Sequence, residues 1–280
     1  MHVSRIWAAL GVAALASGIA PVAEAGCDGS PEPCVSESGL YHIELPETAE
    51  AAPVLVFLHG YRSHGGATIG NTRIVEPLLE RGWAVIAPNA VPMQEGSPAG
   101  SWNFRSNPAG RDETAFLSEV VTTAADRFGT SPDKVVLGGF SAGGFMVSYL
   151  ACAAPDTFPA YAPVSGGFWR PHPESCEGPV RLLHTHGWQD GTVPLEGRPL
   201  GGGRFRQGDI FAGLEIWRQA NGCDMMRPDE IDLGAPFWRR VWTDCTEGSA
   251  LEFALFPGGH TVPDGWADMM ADWFEALPES

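Results

Sequence analysis

Past its first 25 residues the chain alternates short apolar runs with longer stretches of helical periodicity. "GLYHIELP" (39–46) reads as an opening strand, and "PVLVFLHG" (53–60) as a buried one followed by a helix in "TRIVEPLLERG" (72–82). "WAVIAPN" (83–89) is the next strand, then a long loop and the helix "DETAFLSEVVTTAADRFG" (112–129). "KVVLGGF" (134–140) leads into a helix after Ser141, and "VRLLHTHG" (180–187) into the helix "DIFAGLEIWRQANG" (209–222). "LEFALFPGGH" (251–260) and the helix "WADMMADWFEAL" (266–277) close the set. Strands that are apolar on both faces and alternate with helices predict a mostly parallel sheet with helices on both faces. No internal repeat or low-complexity linker interrupts the pattern, so residues 26–280 are expected to form a single domain.

In such sheets, sites form in the loops at the carboxyl ends of the strands. "LGGFSAGGFM" (137–146) stands at one of those ends, with four glycines around Ser141. Glycine inside regular structure costs about 1 kcal/mol relative to alanine, so something there needs a bare backbone. A serine on a sharp strand-to-helix turn supplies the reason, because side chains two residues to either side would collide with neighbouring backbone. The hydroxyl then stands clear at a helix N-terminus, where the dipole favours negative charge.

A serine hydroxyl is a weak nucleophile until a base removes its proton, and that base needs an acid to orient it. "FPGGHTVP" supplies His260 at the end of the last strand, and "HGWQDGTVP" supplies Asp190 after the strand of 180–187. The order Ser141, Asp190, His260 and the strand-end positions together mark a candidate triad. The N–H of Ala142, just after the serine, and that of Tyr61 in "HGYRSHGG" are the expected donors to an oxyanion. His59 is expected to brace the Tyr61 loop. His184 and His186 share one strand face and are read as structural, since no carboxylate or cysteine is spaced to complete a metal site. No metal and no cofactor is expected.

Charge narrows the partners. With 17 basic against 34 acidic residues the net charge is −17, and Lys134 is the single lysine. Phosphate binding needs clustered positive charge, which argues against nucleic acid. The N-terminus changes the compartment. Arg5, the apolar "IWAALGVAALASGIA" and the small residues Ala23 and Ala25 make residues 1–25 a signal peptide, too short in its apolar part to span a membrane. Cys27 lies just after the expected cut, but Glu24 disfavours a lipoprotein signal. An exported protein, periplasmic or extracellular, is expected to pair its six cysteines. Six cysteines allow 15 pairings, and sequence order suggests Cys27 with Cys34, Cys152 with Cys176 and Cys223 with Cys245.

"FLHG", "GGFSAGGFM", "YAPVSGGFW", "HTHGWQD" and "FPGGH" resemble the exported polyhydroxybutyrate-depolymerase-type esterases, relatives of feruloyl and acetylxylan esterases. The resemblance runs from about Gly39 to the C-terminus. It implies an α/β-hydrolase fold and an ester hydrolase acting through an acyl-enzyme. Carried over by position, it implies Ser141 as nucleophile, Asp190 as acid, His260 as base, and Tyr61 and Ala142 as oxyanion donors. "RPHPESCEGPVR" and "PLEGRPLGGGRFRQGD" depart from it as insertions bordering the cleft. No separate polymer-binding domain is expected, so short-chain, aryl or hydroxybutyrate-oligomer esters are favoured as substrates over intact polymer. Trp102 and Trp188, each beside a strand end, are expected to line the substrate pocket. A monomer is expected. The other readings are a carbohydrate esterase of the feruloyl or acetylxylan type, a serine peptidase, which uses the same triad, and an inactive binding protein of the same fold.

Overall fold

The computed structural model describes residues 26–278 except 28, 29, 31 and 225; the leader read in residues 1–25 lies outside the described residues. Alternation within each strand decides which side of the sheet its side chains cover. Along β3 (Val54–Leu58), Val54, Val56 and Leu58 enter one core while Leu55 and Phe57 enter the other. In β4 (Ala84–Pro88) and β5 (Val135–Phe140) the same alternation sends Ile86 and Leu137 one way, Val85 and Val136 the other. The first core is closed by α3 (Glu113–Phe128), α4 (Ala142–Ala153) and α5 (Ile210–Ala220). Short α1 (Gly65–Ile69), α2 (Thr72–Glu80) and α6 (Trp266–Glu275) close the second. Each fully buried Leu, Ile or Phe contributes about 1.5–3 kcal/mol, so two such cores fix the sheet firmly.

The remaining strands of the sheet are β1 (Cys34–Val35), β2 (Leu40–Glu44), β6 (Ala160–Val164), β7 (Arg181–Gly187), β8 (Glu230–Asp232), β9 (Trp238–Trp242) and β10 (Ala250–Phe256). They lie in the order β1-β2-β4-β3-β5-β6-β7-β10-β9-β8. The six from β4 to β10 run parallel and the two strands at either edge antiparallel, matching the expected architecture. The sequence reading lacked β1, β6, β8 and β9. Consequently one more strand separates Ser141 from Asp190 than the apolar runs suggested.

All three disulfides suggested by sequence order are present: Cys27–Cys34, Cys152–Cys176 and Cys223–Cys245. Cys152 ends α4, and Cys176 ties to it the excursion that follows β6. Among the described residues, no helix is long and apolar enough to cross a membrane.

Candidate active site

Because β5, β6, β7 and β10 are parallel neighbours, their carboxyl ends share one edge of the sheet. Ser141 follows β5, Asp190 follows β7 and His260 follows β10. Ser141 holds φ 56° and ψ −113°, a left-handed conformation that non-glycine residues rarely adopt. Its N–H donates to Val164 O (3.0 Å) and its carbonyl accepts from Phe145 N (2.9 Å), so strand pairing passes directly into α4. The glycines around it answer to close approach. A Cβ on Gly143 would collide with the Leu58 carbonyl, and one on Gly139 would lie 2.7 Å from the backbone of Gly143. Helices α3 and α5 have their N-termini capped by the carboxylates of Asp112 and Asp209. Ser141 occupies the same position on α4 without using its hydroxyl as a cap.

That hydroxyl faces His260 instead, with Oγ 2.9 Å from Nε2. The other ring nitrogen, Nδ1, is 2.8 Å from Asp190 Oδ2. A carboxylate only accepts, so Nδ1 carries the proton and Nε2 presents a lone pair to the serine. Phe140, whose ring centroid lies 4.7 Å from that of His260, covers one side of the imidazole. Asp190 Oδ1 accepts from Thr192 N (2.9 Å) and Val193 N (2.8 Å). Burial pushes the Asp190 carboxyl up, but the hydrogen bonds from His260, Val193 and Thr192 outweigh it and hold the pKa below the ordinary value. The acid is therefore ionised where the histidine needs it. The structure thus brings Ser141, His260 and Asp190 into one hydrogen-bonded chain.

The loop after β3 lies against this chain: a Cβ on Gly60 would sit 3.6 Å from Ser141 Cβ. Among the described residues, neither Tyr61 N nor Ala142 N donates to a protein acceptor, leaving both for a ligand oxygen. His59 braces the loop. Its Nδ1 donates to Gly60 O (2.8 Å) and its Nε2 accepts from Ala90 N (3.1 Å). Burial lowers its pKa to about 4, so it remains neutral and keeps that donor–acceptor pattern.

The two tryptophans part company. Trp188 is 55% exposed on the Asp190 turn and meets Trp238 edge-on at 6.4 Å, a rim position. Trp102 does not line the pocket as expected. It is 3% exposed, and its indole N–H donates to His59 O (2.8 Å), so it is buried and tied to the loop that follows β3. The strand-end rule placed Trp102 near the correct edge, but the small hairpin Val91–Pro92/Gly100–Ser101 turns the chain inward first.

Sequence reasoning passed over the link from Asp190 to the buried histidines. His186 Nε2 donates to Val193 O (2.8 Å), which leaves Nδ1 to accept from His184 Nε2 (3.1 Å). The spacing of two on one strand face was the available signal. Burial holds both histidines below the ordinary value, hence neutral. Among the described residues, no group of three or more His, Cys, Asp or Glu is placed to hold a metal ion.

A family profile described as "alpha/beta hydrolase fold" matches residues 53–207. A bifunctional acetylxylan esterase/xylanase of Neocallimastix patriciarum is 24% identical over 83% of this chain and 33% of its own length. A poly(3-hydroxyalkanoate) depolymerase C of Paucimonas lemoignei is 27% identical over 41% of this chain and 28% of its own. This chain thus spans about a third of the length of those two relatives. A probable feruloyl esterase C of Aspergillus oryzae is 27% identical over 79% of this chain and 75% of its own. Among solved structures, an acetyl xylan esterase from Aspergillus awamori superposes with a TM-score of 0.62 at 17% identity, over 84% of this chain and 93% of that one.

Proposed function

Since the chain belongs to the α/β-hydrolase fold family, we propose that it is an exported serine esterase that hydrolyses carboxylic esters through an acyl-enzyme on Ser141. The observation that carries this reading is the chain Ser141 Oγ, His260 Nε2, His260 Nδ1, Asp190 Oδ2, at 2.9 and 2.8 Å. Ser141 Oγ attacks the ester carbonyl carbon while its proton moves to His260 Nε2. The carbonyl oxygen becomes an oxyanion for which Tyr61 N–H and Ala142 N–H, neither of them donating to a protein acceptor among the described residues, are the assigned donors. As the tetrahedral intermediate collapses, the C–O bond to the alcohol breaks and His260 returns the proton to the leaving oxygen. Water then repeats the sequence on the acyl-enzyme, with His260 as base, and releases the acid.

Export rests on the reading of residues 1–25 as a signal peptide, and the three disulfides favour an oxidising compartment. The relatives named above include a bifunctional acetylxylan esterase/xylanase and a probable feruloyl esterase, both esterases by name, and a poly(3-hydroxyalkanoate) depolymerase. Short-chain or aryl esters and hydroxybutyrate oligomers are the proposed substrates, with the half-exposed Trp188 beside Asp190 as an apolar contact for them. Testing needs an active-site phosphonate and an ester panel. Label on Ser141 alone, together with a loss of about 10³ or more in turnover for Ser141→Ala, is expected. Label on a different residue, or cleavage of a peptide anilide in preference to esters, refutes the reading.

A further inference from the structure

Five arginines lie on excursions that leave the carboxyl ends of β4, β6 and β7, the edge that carries Ser141, Asp190 and His260. Arg105 lies on the excursion after β4 and Arg170 on the excursion after β6. Arg198, Arg204 and Arg206 lie on a hairpin whose arms are Pro199–Leu200 and Phe205–Arg206. The segments are stitched together. Trp169 bridges Gln207, Arg170 N donates to Arg206 O (2.8 Å), and Gln207 N donates to Arg198 O (2.9 Å). The Arg105 guanidinium stands 5.5 Å over the Phe205 ring. Among the described residues none of the five forms an ion pair; Arg73, Arg81, Arg111, Arg218 and Arg239 do, and the other arginines without one, Arg62, Arg127, Arg181, Arg227 and Arg240, lie outside these stitched segments. Nearby acidic groups offset little: Glu196 is exposed, and the Asp209 carboxylate is engaged in capping α5. In a chain of net charge −17, such a concentration of cations needs an explanation.

An aromatic wall adjoins the cations. Phe104 packs against Phe145 (5.6 Å), Tyr149 (5.9 Å) and Trp169 (5.9 Å), and Trp169 against Phe205 (6.2 Å). A groove of about 280 Å³ runs along it, lined by Phe104, Tyr149 and Trp169 with Arg105 and Arg170. Phe145 sits one helical turn, about 6 Å of rise, beyond Ser141 on α4. Two donors on the stitched segments, Trp169 Nε1 and Arg198 Nε, have no acceptor among the protein atoms.

We propose that this patch is an anion subsite, and that the esters cleaved at Ser141 carry a free carboxylate, gripped by the arginines while their carbon skeleton lies on the aromatic wall. A planar guanidinium matches a carboxylate and also stacks on rings, which suits arginine to both halves of the task. The proposal rests on the esterase reading of Ser141 and narrows its substrate class.

Matched esters differing by one carboxylate test it on the full mature protein. On the acyl side, mono-4-nitrophenyl adipate is compared with 4-nitrophenyl hexanoate. On the alcohol side, the linear dimer of 3-hydroxybutyrate is compared with its N-methylamide. At least one acid is expected to exceed its neutral partner by about tenfold in kcat/KM, the size of one charged hydrogen bond. That ratio should shrink with added salt, and about tenfold in the double variant Arg105→Gln, Arg206→Gln, chiefly through KM. Which pair shows the effect tells which half of the ester bears the carboxylate. Both residues are exposed, and an unchanged Tm shows that the variant folds. Turnover of the neutral esters with no preference for either acid overturns the anion subsite and leaves the esterase reading standing. Failure of every ester, with no phosphonate label on Ser141, overturns the esterase reading itself.

Discussion

Replacing Asp190 by Asn changes one oxygen to an NH₂ group and probes the whole chain of protons. In the wild type Oδ1 holds the turn through Thr192 N and Val193 N while Oδ2 accepts from His260 Nδ1. The asparagine carbonyl can keep the two turn bonds, because backbone N–H groups need only an acceptor. Its NH₂ then faces His260 Nδ1 and can only donate. The imidazole must move its proton to Nε2, and Nε2 no longer accepts from Ser141. The expected loss is about 10³–10⁴ in kcat, or roughly 4–5 kcal/mol of barrier at 1.36 kcal/mol per decade. Stability should change less, by about 1–2 kcal/mol, because the fold keeps both turn bonds and exchanges one charged hydrogen bond for a neutral one. Steady-state hydrolysis of 4-nitrophenyl acetate gives the first quantity and denaturant unfolding the second. Activity within tenfold of wild type in a folded Asp190→Asn protein refutes the assignment of Asp190 as the orienting acid.

The buried histidines give a pH dependence of stability. Burial lowers the pKa of His59 to about 4, so below the ~6.5 of an unfolded histidine the unfolded chain takes a proton that the native state refuses. Stability is therefore complete above about pH 6.5 and falls as pH drops towards 4, by roughly 3 kcal/mol for His59 alone at 1.36 kcal/mol per pH unit. His184 and His186, lowered by burial too, add to the same fall, and a flat denaturant midpoint between pH 7 and pH 5 contradicts this. Trp102→Phe removes the N–H that holds His59 O and should lower kcat several-fold more than it changes KM, an outcome that steady-state kinetics reads directly. Gly143→Ala forces a Cβ onto the Leu58 carbonyl, and should cost several kcal/mol in thermal unfolding together with most of the activity. Replacing Cys152 and Cys176 by Ser opens a loop closed across 24 residues, worth about 3 kcal/mol on the chain-entropy account, measured by unfolding with and without reductant.

The parts of this molecule legible from sequence were those where one force acts alone. β3, β4 and β5 are apolar on both faces, β7 and β10 are buried and largely apolar, and their runs announce themselves. β6, "AYAPV", was missed because Pro163 lies inside it, and proline removes a ladder donor and argues against a central strand. β9, "WRRVW", hid behind its arginines. The partner that admits Arg239, Glu252, lies on β10, and nothing local reveals that pairing. The candidate catalytic residues were legible because glycine turns and chain order mark them. The supports were not: the Trp102 bond to His59 and the His186 bond to Val193 depend on how excursions fold back, which no local period encodes.

The hairpin of residues 199–206 has a consequence for how such proteins diversify. It leaves the main chain after the Asp190 turn and rejoins at the α5 cap, so both its anchors belong to the scaffold. None of Ser141, Asp190, His260, Tyr61 or Ala142 lies on it. On the proposed esterase reading, exchange of this one segment alters which esters are accepted without disturbing the register of the sheet that aligns Ser141, Asp190 and His260. Under that reading new substrates are reached by rewriting a surface ribbon, and directed evolution of this chain is best begun there.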